Sequence, residues 1–219
     1  MILHHPDDAL LLAYVTGSLD SAAALVVSAH VEMCPVCRRA AATLEAAGGV
    51  LLESIEPIAL EAGAFSRTMA RIDAAREAPA EATQRPPRNR PDLPEGVAWP
   101  RSLRNCEISP WKTIGPGMRW SRIQVPGNPG ANAFLLRMAA GRELAMHTHD
   151  GRELTLVLHG AFRDERAEWH LGDLDETDRS ISHRPIVNAE GECICLVAVQ
   201  GRVRFQGWIA RALGAWMGI

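Results

Sequence analysis

The sequence predicts two domains: an N-terminal all-α small helical bundle and a C-terminal all-β barrel of jelly-roll type. Three observations carry this. Apolar residues recur at helical spacing over about the first 78 residues. Beyond about Val97 they shift to short apolar runs broken by Gly, Pro, Asn and Asp, the pattern of many short strands. Between the two lies "EAPAEATQRPPRNRPDLPEG", rich in proline and charge with almost nothing to bury, which reads as an exposed linker. The expected division is therefore residues 1–78, a linker at 79–96, and residues 97–219.

The elements follow in order. Pro6, Asp7 and Asp8 are start signals ahead of "ALLLAYV", and Gly17 stops that first helix. Ser18 or Asp20 can cap a second helix running to about Met33. Pro35 suits the first turn of a third, "PVCRRAAATLEAA", which Gly48 and Gly49 are expected to end. A fourth, Phe65 to about Arg76, puts Phe65, Met69 and Ile72 on one stripe. In the second half, "MRWSRIQVPGNPGANAFLLRMAAGREL", "ELTLVLHGAFRDE" and "CICLVAVQGRVRF" read as strands of a sandwich or barrel. Trp111 and Trp120 fit core positions there. The closing "WIARALGAWMGI" reads as a short apolar helix or strand packed on the barrel.

Composition narrows the function. A chain of 219 residues with 47% hydrophobic and 22% charged content has ample material for a core. A net charge of −3 without a dense Lys/Arg patch disfavours direct nucleic-acid binding. No apolar run approaches the roughly 18–20 residues of a membrane span. "MILHHPDDALL" has neither a basic n-region nor a small-residue cleavage site, so a cytoplasmic location is expected. Five cysteines, two in C-x-x-C and two in C-x-C, then point to metal ligation or thiol redox chemistry rather than a disulfide framework.

The first cluster is "HVEMCPVC", H-x-x-x-C-x-x-C. His30 lies near the end of the second helix, with Cys34 four residues on and roughly on the same face. Cys34 and Cys37 open the third helix, where the dipole and free N–H groups favour thiolate. Two thiolates and an imidazole suit tetrahedral zinc, which takes four protein ligands in a closed structural site. His4 and His5 are the histidines upstream. His5, nearer the helix start, is the expected fourth ligand. The plainer alternative is a redox dithiol, but a thioredoxin-like role wants a βαβ context that is absent.

The second cluster is in "GRELAMHTHDGRELTLVLHG". H-x-H places His147 and His149 on the same side of an extended strand. Asp150, Gly151 and Arg152 can turn the chain so that Glu153 begins the next strand beside them. His183, in "SISHRPIVN", is the expected fourth ligand. Three imidazoles and a carboxylate suit Zn, Fe, Mn or Ni rather than a soft metal.

Both clusters carry a resemblance. The spacing G-x5-H-x-H-x3-E-x6-G matches the first cupin motif throughout. The second motif departs: Asp178-Arg179-Ser180 stands where P-x-G is usual, and Asn188 is one residue late. The N-terminal pattern resembles the zinc-containing anti-sigma domain of bacterial anti-sigma factors. In this order, and with "ELTLVLHGAFRDE" and "CICL" as added points, the chain resembles the ChrR-type zinc-dependent anti-sigma factors over nearly its whole length. The resemblance implies zinc on His5, His30, Cys34 and Cys37. It implies a divalent metal, zinc before the others, on His147, His149, Glu153 and His183. It further implies that the helical domain sequesters an extracytoplasmic-function sigma factor, and that the cupin domain responds to singlet oxygen and related oxidants, with a small molecule or oxidant as its possible ligand. The implied protein is a negative regulator of transcription and not an enzyme.

Two rivals remain open at this level. One is a metal-dependent cupin enzyme, dioxygenase-like, with a helical oligomerisation domain. The other is a DNA-binding repressor, which the neutral-to-acidic helices disfavour. Cys193 and Cys195 fall on one strand face and could be co-located oxidation targets, although buried strand cysteines often serve as small hydrophobes. Arg163, Asp164 and Glu165 could stand behind the metal ligands or simply form a strand end, and the strand end is favoured. Cys106 has no assigned role, and His159 and His170 read as surface or satisfied histidines.

Overall fold

A computed structural model describes residues 1–77, 91–95, 97 and 99–205. The closing "WIARALGAWMGI" and most of the expected linker lie outside the described residues. Four α-helices come first: α1 Asp8–Val15, α2 Ser21–Met33, α3 Pro35–Glu53 and α4 Ala64–Glu77. Asp7 caps α1 by accepting from the Leu10 N–H, and Asp20 caps α2 by accepting from the Ala22 and Ala23 N–H groups. Gly17 follows α1 with φ +70°, as a C-terminal stop requires. Cys34 ends α2 and caps α3 at once.

One boundary departs from the sequence reading. Gly48 and Gly49 do not end α3; it runs on to Glu53 and is closed at Ser54, whose hydroxyl donates to the Leu51 carbonyl at 2.7 Å. A helical glycine costs about 1 kcal/mol against alanine, too little to break a helix whose next residues, Val50–Leu52, continue it.

A short 3-10 helix, Arg101–Asn105, leads into twelve strands. They are β1 Glu107–Ile108, β2 Lys112–Gly115, β3 Met118–Val125, β4 Asn128–Met138, β5 His147–His149, β6 Glu153–His159, β7 Ala161–Arg163, β8 Glu168–His170, β9 Leu174–Thr177, β10 Ile186–Val187, β11 Cys193–Val199 and β12 Val203–Phe205. The main sheet runs β1-β3-β4-β11-β6-β9, with β2 paired to β3. Smaller sheets run β10-β7-β8 and β12-β5, and all pairings are antiparallel. The strands form the expected cupin-like arrangement as separate sheets rather than as one continuously bonded barrel among the described residues.

The two halves share a core. β11 is buried along its whole length, on both faces. Cys193, Cys195, Val197 and Val199 point into the barrel with Trp120, Phe134 and Phe162. Ile194, Leu196 and Ala198 point outward and join one cluster with Leu25, Val26, Val27 and Ala29 of α2. β6 divides in the same way: Leu154, Leu156 and Leu158 face the helices, and Val157 faces the interior. Helix α2 therefore lies on the outer face of the main sheet, apolar around most of its circumference, with Ser21, Ser28 and Glu32 on its one polar stripe. Val26 and Val27 are fully buried there, each contributing about 1.5–3 kcal/mol over an exposed state. α4 is different: its residues 65–76 are all exposed.

Candidate metal centres

The first centre assembles where three segments meet. The N-terminal residues run along the barrel: Leu3 and His4 donate their N–H groups to Asp173 Oδ1 at 2.6 and 3.0 Å, and the Leu174 N–H donates to the His4 carbonyl. The His4 ring lies against Trp169, centroids 5.6 Å apart. Alternation along an extended chain then turns His5 the other way. Its Nδ1 sits 3.4 Å from both Cys34 Sγ and Cys37 Sγ. His30 is fully buried, with Nε2 3.3 Å from Cys37 Sγ and Nδ1 2.9 Å from the Gly172 carbonyl. That carbonyl accepts the Nδ1–H, which leaves Nε2 as the lone-pair nitrogen facing the cluster.

The four expected residues thus converge, with one ligand atom from each inside a common 4.8 Å sphere of separation. A tetrahedral zinc with Zn–N near 2.0–2.1 Å and Zn–S near 2.3 Å needs N···S separations of about 3.6 Å; the distances found are 3.3–3.4 Å. The electrostatics agree. Burial lowers His30 to about 4, keeping it neutral. Burial and the adjacent Cys34 sulfur push the Cys37 thiol up to about 12. Helix-terminus stabilisation of the thiolate is therefore the weaker effect at Cys37. A dication reverses the balance, since two thiolates and Zn2+ sum to zero charge in a site where His30, Cys34 and Cys37 are buried and His5 is exposed.

The second centre is built on β5, β6 and an isolated bridge. His147 and His149 both point inward from β5 and are buried. His183 pairs with His147 through reciprocal backbone bonds, each N–H to the other's carbonyl at 3.1 Å. This register brings His183 into place although the usual glycine turn is missing from the sequence before it. The His147 and His183 Nε2 atoms are 3.0 Å apart. Their Nδ1–H groups are directed elsewhere, to the Ala145 carbonyl at 2.8 Å and to Asp164 Oδ2 at 3.1 Å. With Nδ1 protonated on both rings two lone pairs face each other, an arrangement suited to a cation between them; Arg166 Nη2 also lies 3.2 Å from His183 Nδ1. His149 has both ring nitrogens buried with no hydrogen-bond partner, and its Nδ1 lies 3.5 Å from Glu153 Oε2. Glu153 also accepts from the Thr155 hydroxyl at 3.2 Å.

Burial dominates the titration of this centre. It lowers His147 to about 3 and His149 to about 4, and moves His183 down as well. It raises Glu153 to about 8, with Asp175 adding to the rise. Neutral imidazoles with inward lone pairs and a carboxyl that ionises readily beside a cation form a donor set suited to a divalent metal.

The sequence reading favoured a strand end over an outer-layer role at Asp164 and missed Arg166. Asp164 is not merely a strand end: it orients His183 as a carboxylate–histidine pair. Arg166 locks it in place, donating to Asp164 Oδ2 at 2.7 Å and, through two nitrogens, to both Asp175 oxygens at 3.0 and 2.7 Å. The guanidinium lies over the Trp169 ring, 4.9 Å from its centroid. "RDER" carries no signal that separates such a group from an ordinary turn. Behind the centre is an apolar cavity lined by residues such as Ile114, Phe134, Met138 and Val197, with His147, Glu153 and His183 in its wall. Cys193 and Cys195 also line it, Sγ atoms 3.6 Å apart and both buried. The hydrogen bond that the Cys195 thiol shares with Cys193, together with burial, pushes that thiol well above the usual range.

Comparison with known proteins agrees with this architecture. Residues 101–202 match the ChrR cupin-like domain family. The anti-sigma-E factor ChrR of Cereibacter sphaeroides is 38% identical over 210 residues, covering 96% of this chain and 95% of that protein. A crystal structure of Rhodobacter sphaeroides SigE in complex with the anti-sigma ChrR superposes with a TM-score of 0.72 at 38% identity, covering 91% of this chain and 100% of that one. With a likeness at this level running from the helical cluster through the cupin-like strands, the chain belongs to the family of the anti-sigma factor ChrR.

Proposed function

We propose that the chain is an anti-sigma factor and not an enzyme. Residues 1–78 sequester an extracytoplasmic-function sigma factor. Residues 97–219 sense an oxidative signal, of the singlet-oxygen or organic-peroxide type, and trigger release; residues 79–96 link the two. The observation that carries the reading is the 38% identity over 96% of the chain to a ChrR protein, whose relative was solved with its sigma factor. In this reading His5, His30, Cys34 and Cys37 hold zinc that fixes the helical domain in its binding shape. His147, His149, Glu153 and His183 hold the sensory divalent metal, zinc before others. The protein acts in the cytoplasm, where its partner works.

Two features support this division. Large apolar side chains are exposed from the end of α3 through α4, among them Leu51, Leu52, Ile58, Phe65, Met69 and Ile72. Such a run of exposed apolar surface suits a protein partner. The apolar cavity beside the second centre suits a small neutral oxidant.

The test is co-expression of the full chain with the sigma factor encoded beside it, followed by purification on a tag carried by one partner. The reading expects a one-to-one complex that separates after photosensitised singlet-oxygen exposure. It expects the complex of a chain carrying both His147→Ala and His149→Ala to form and to stay intact under the same exposure. Failure of the full chain to co-purify would sink the anti-sigma reading. Formation without any oxidant-driven release would sink the sensory half alone.

A further inference from the structure

The first metal centre does not stand on N-terminal residues alone. The turn between β8 and β9 reaches under it. Gly172, with φ +88°, presents its carbonyl to His30 Nδ1 at 2.9 Å. A side chain there would meet Ile2, whose Cδ1 would lie 2.6 Å from the added Cβ. The next residue, Asp173, is fully buried. Its Oδ1 accepts from the Leu3 and His4 N–H groups, and its Oδ2 accepts from the His170 N–H at 2.9 Å. Burial acts to raise this carboxyl, but the three backbone donors outweigh it and hold it below its ordinary value. The Leu174 N–H then closes onto the His4 carbonyl at 3.1 Å. The segment that delivers His5 is thus held from one side by a single carboxylate.

We propose that the barrel turn Gly172–Asp173 is the outer support of the N-terminal metal centre. The Gly172 carbonyl fixes the tautomer and orientation of His30, and Asp173 positions the segment that carries His5. The inference rests on reading the four N-terminal residues as a metal site. Its consequence is that metal held within the first 37 residues depends on a turn some 140 residues away in sequence. The same turn adjoins the second centre: two residues beyond Asp173, Asp175 takes the Arg166 fork that also holds Asp164, the partner of His183. Asp173 itself bonds only Leu3, His4 and His170, so the second centre is reached through Asp175 and not through it.

The test is graded chelator competition on the full chain, with cobalt–thiolate absorption reporting the Cys34–Cys37 centre and total metal reporting the second. Asp173→Asn keeps the shape but loses the charge and one acceptor. Removing an outer partner of a ligand typically costs about 10- to 100-fold in metal affinity, and that loss is expected here at the N-terminal centre only. Leu3→Pro removes one donor to Asp173 and leaves the barrel intact; it should weaken the same centre in the same direction, and it decides the matter if the Asp173 variant does not fold. Unchanged retention in both variants overturns the proposal. Equal weakening of both centres also overturns it, because that is general loosening of the fold. If the unsubstituted chain holds no metal on Cys34 and Cys37, the metal reading itself fails, and this proposal with it.

Discussion

The Nε2 atoms of His147 and His183 lie 3.0 Å apart, each with its Nδ1–H committed to an outward acceptor. With His149 orphaned beside them, the cluster is stable when a cation sits among the lone pairs. Metal analysis of the full chain should give two metals per chain. His147→Ala should reduce this to one, and so should Cys34→Ser, because the two sets share no ligand. Two metals retained in either variant would contradict the assignment of that set.

Metal uptake should release protons, with a different pH profile at each centre. Glu153 sits at about 8 without a cation, so below pH 8 the second centre should lose about tenfold in affinity per pH unit for this one proton, and level off above it. The first centre should continue to gain affinity beyond pH 8, since the Cys37 thiol is pushed up to about 12. Zinc titration in dilute buffer with a pH indicator, repeated from pH 6.5 to 9, measures both.

Without metal, acid should unfold the chain early. His30, His147 and His149 have folded values near 4, 3 and 4, below the 6.5 of an unfolded histidine. The unfolded chain therefore binds protons first as pH falls. Stability is present above about pH 6.5 and is lost progressively as pH drops toward 4. Thermal midpoints of the metal-free chain across this range should decline steadily, where a flat profile would exclude three buried neutral histidines.

Asp164 should matter for metal, not for partner binding. Asp164→Asn removes the carboxylate that aligns His183, and should weaken the second centre by about 10- to 100-fold. Retention at Cys34 and Cys37 should stay within twofold. Chelator competition resolves the two.

The exposed apolar run gives the complementary prediction. Leu51 and Phe65 are 69% and 75% exposed, so Leu51→Asp and Phe65→Asp should change stability by no more than about 0.5 kcal/mol. Each should nonetheless weaken sigma-factor binding by at least about tenfold, as expected for a large apolar contact at an interface. Calorimetry of the free chain beside binding titration of the complex separates these effects.

Much of this was legible in the residues. The caps at Asp7 and Asp20, the H-x-H strand, and the grouping of His30, Cys34 and Cys37 follow from local spacing that the fold leaves intact. His5 rather than His4 is explained by the Trp169 contact, which draws His4 the other way. What spacing cannot express is contact across the chain. "CICLVAV" buries both faces because α2 covers the outer one, and "AAALVV" is continuously apolar because it lies on that sheet. The two runs are complementary, yet nothing local says that they meet. Arg166 and Asp173 were invisible for the same reason, and the strand-end reading of Asp164 gave way to it: each acts on a residue that the folded barrel brings near.

The central claim is repression of a sigma factor by the metal-loaded chain. The most direct measurement is transcription in vitro by RNA polymerase with the partner sigma factor at its own promoter, with the full chain titrated in. Inhibition should be complete near one chain per sigma factor, and should fall away with Cys34→Ser. Transcription that persists at tenfold excess of a chain carrying both metals would contradict the account.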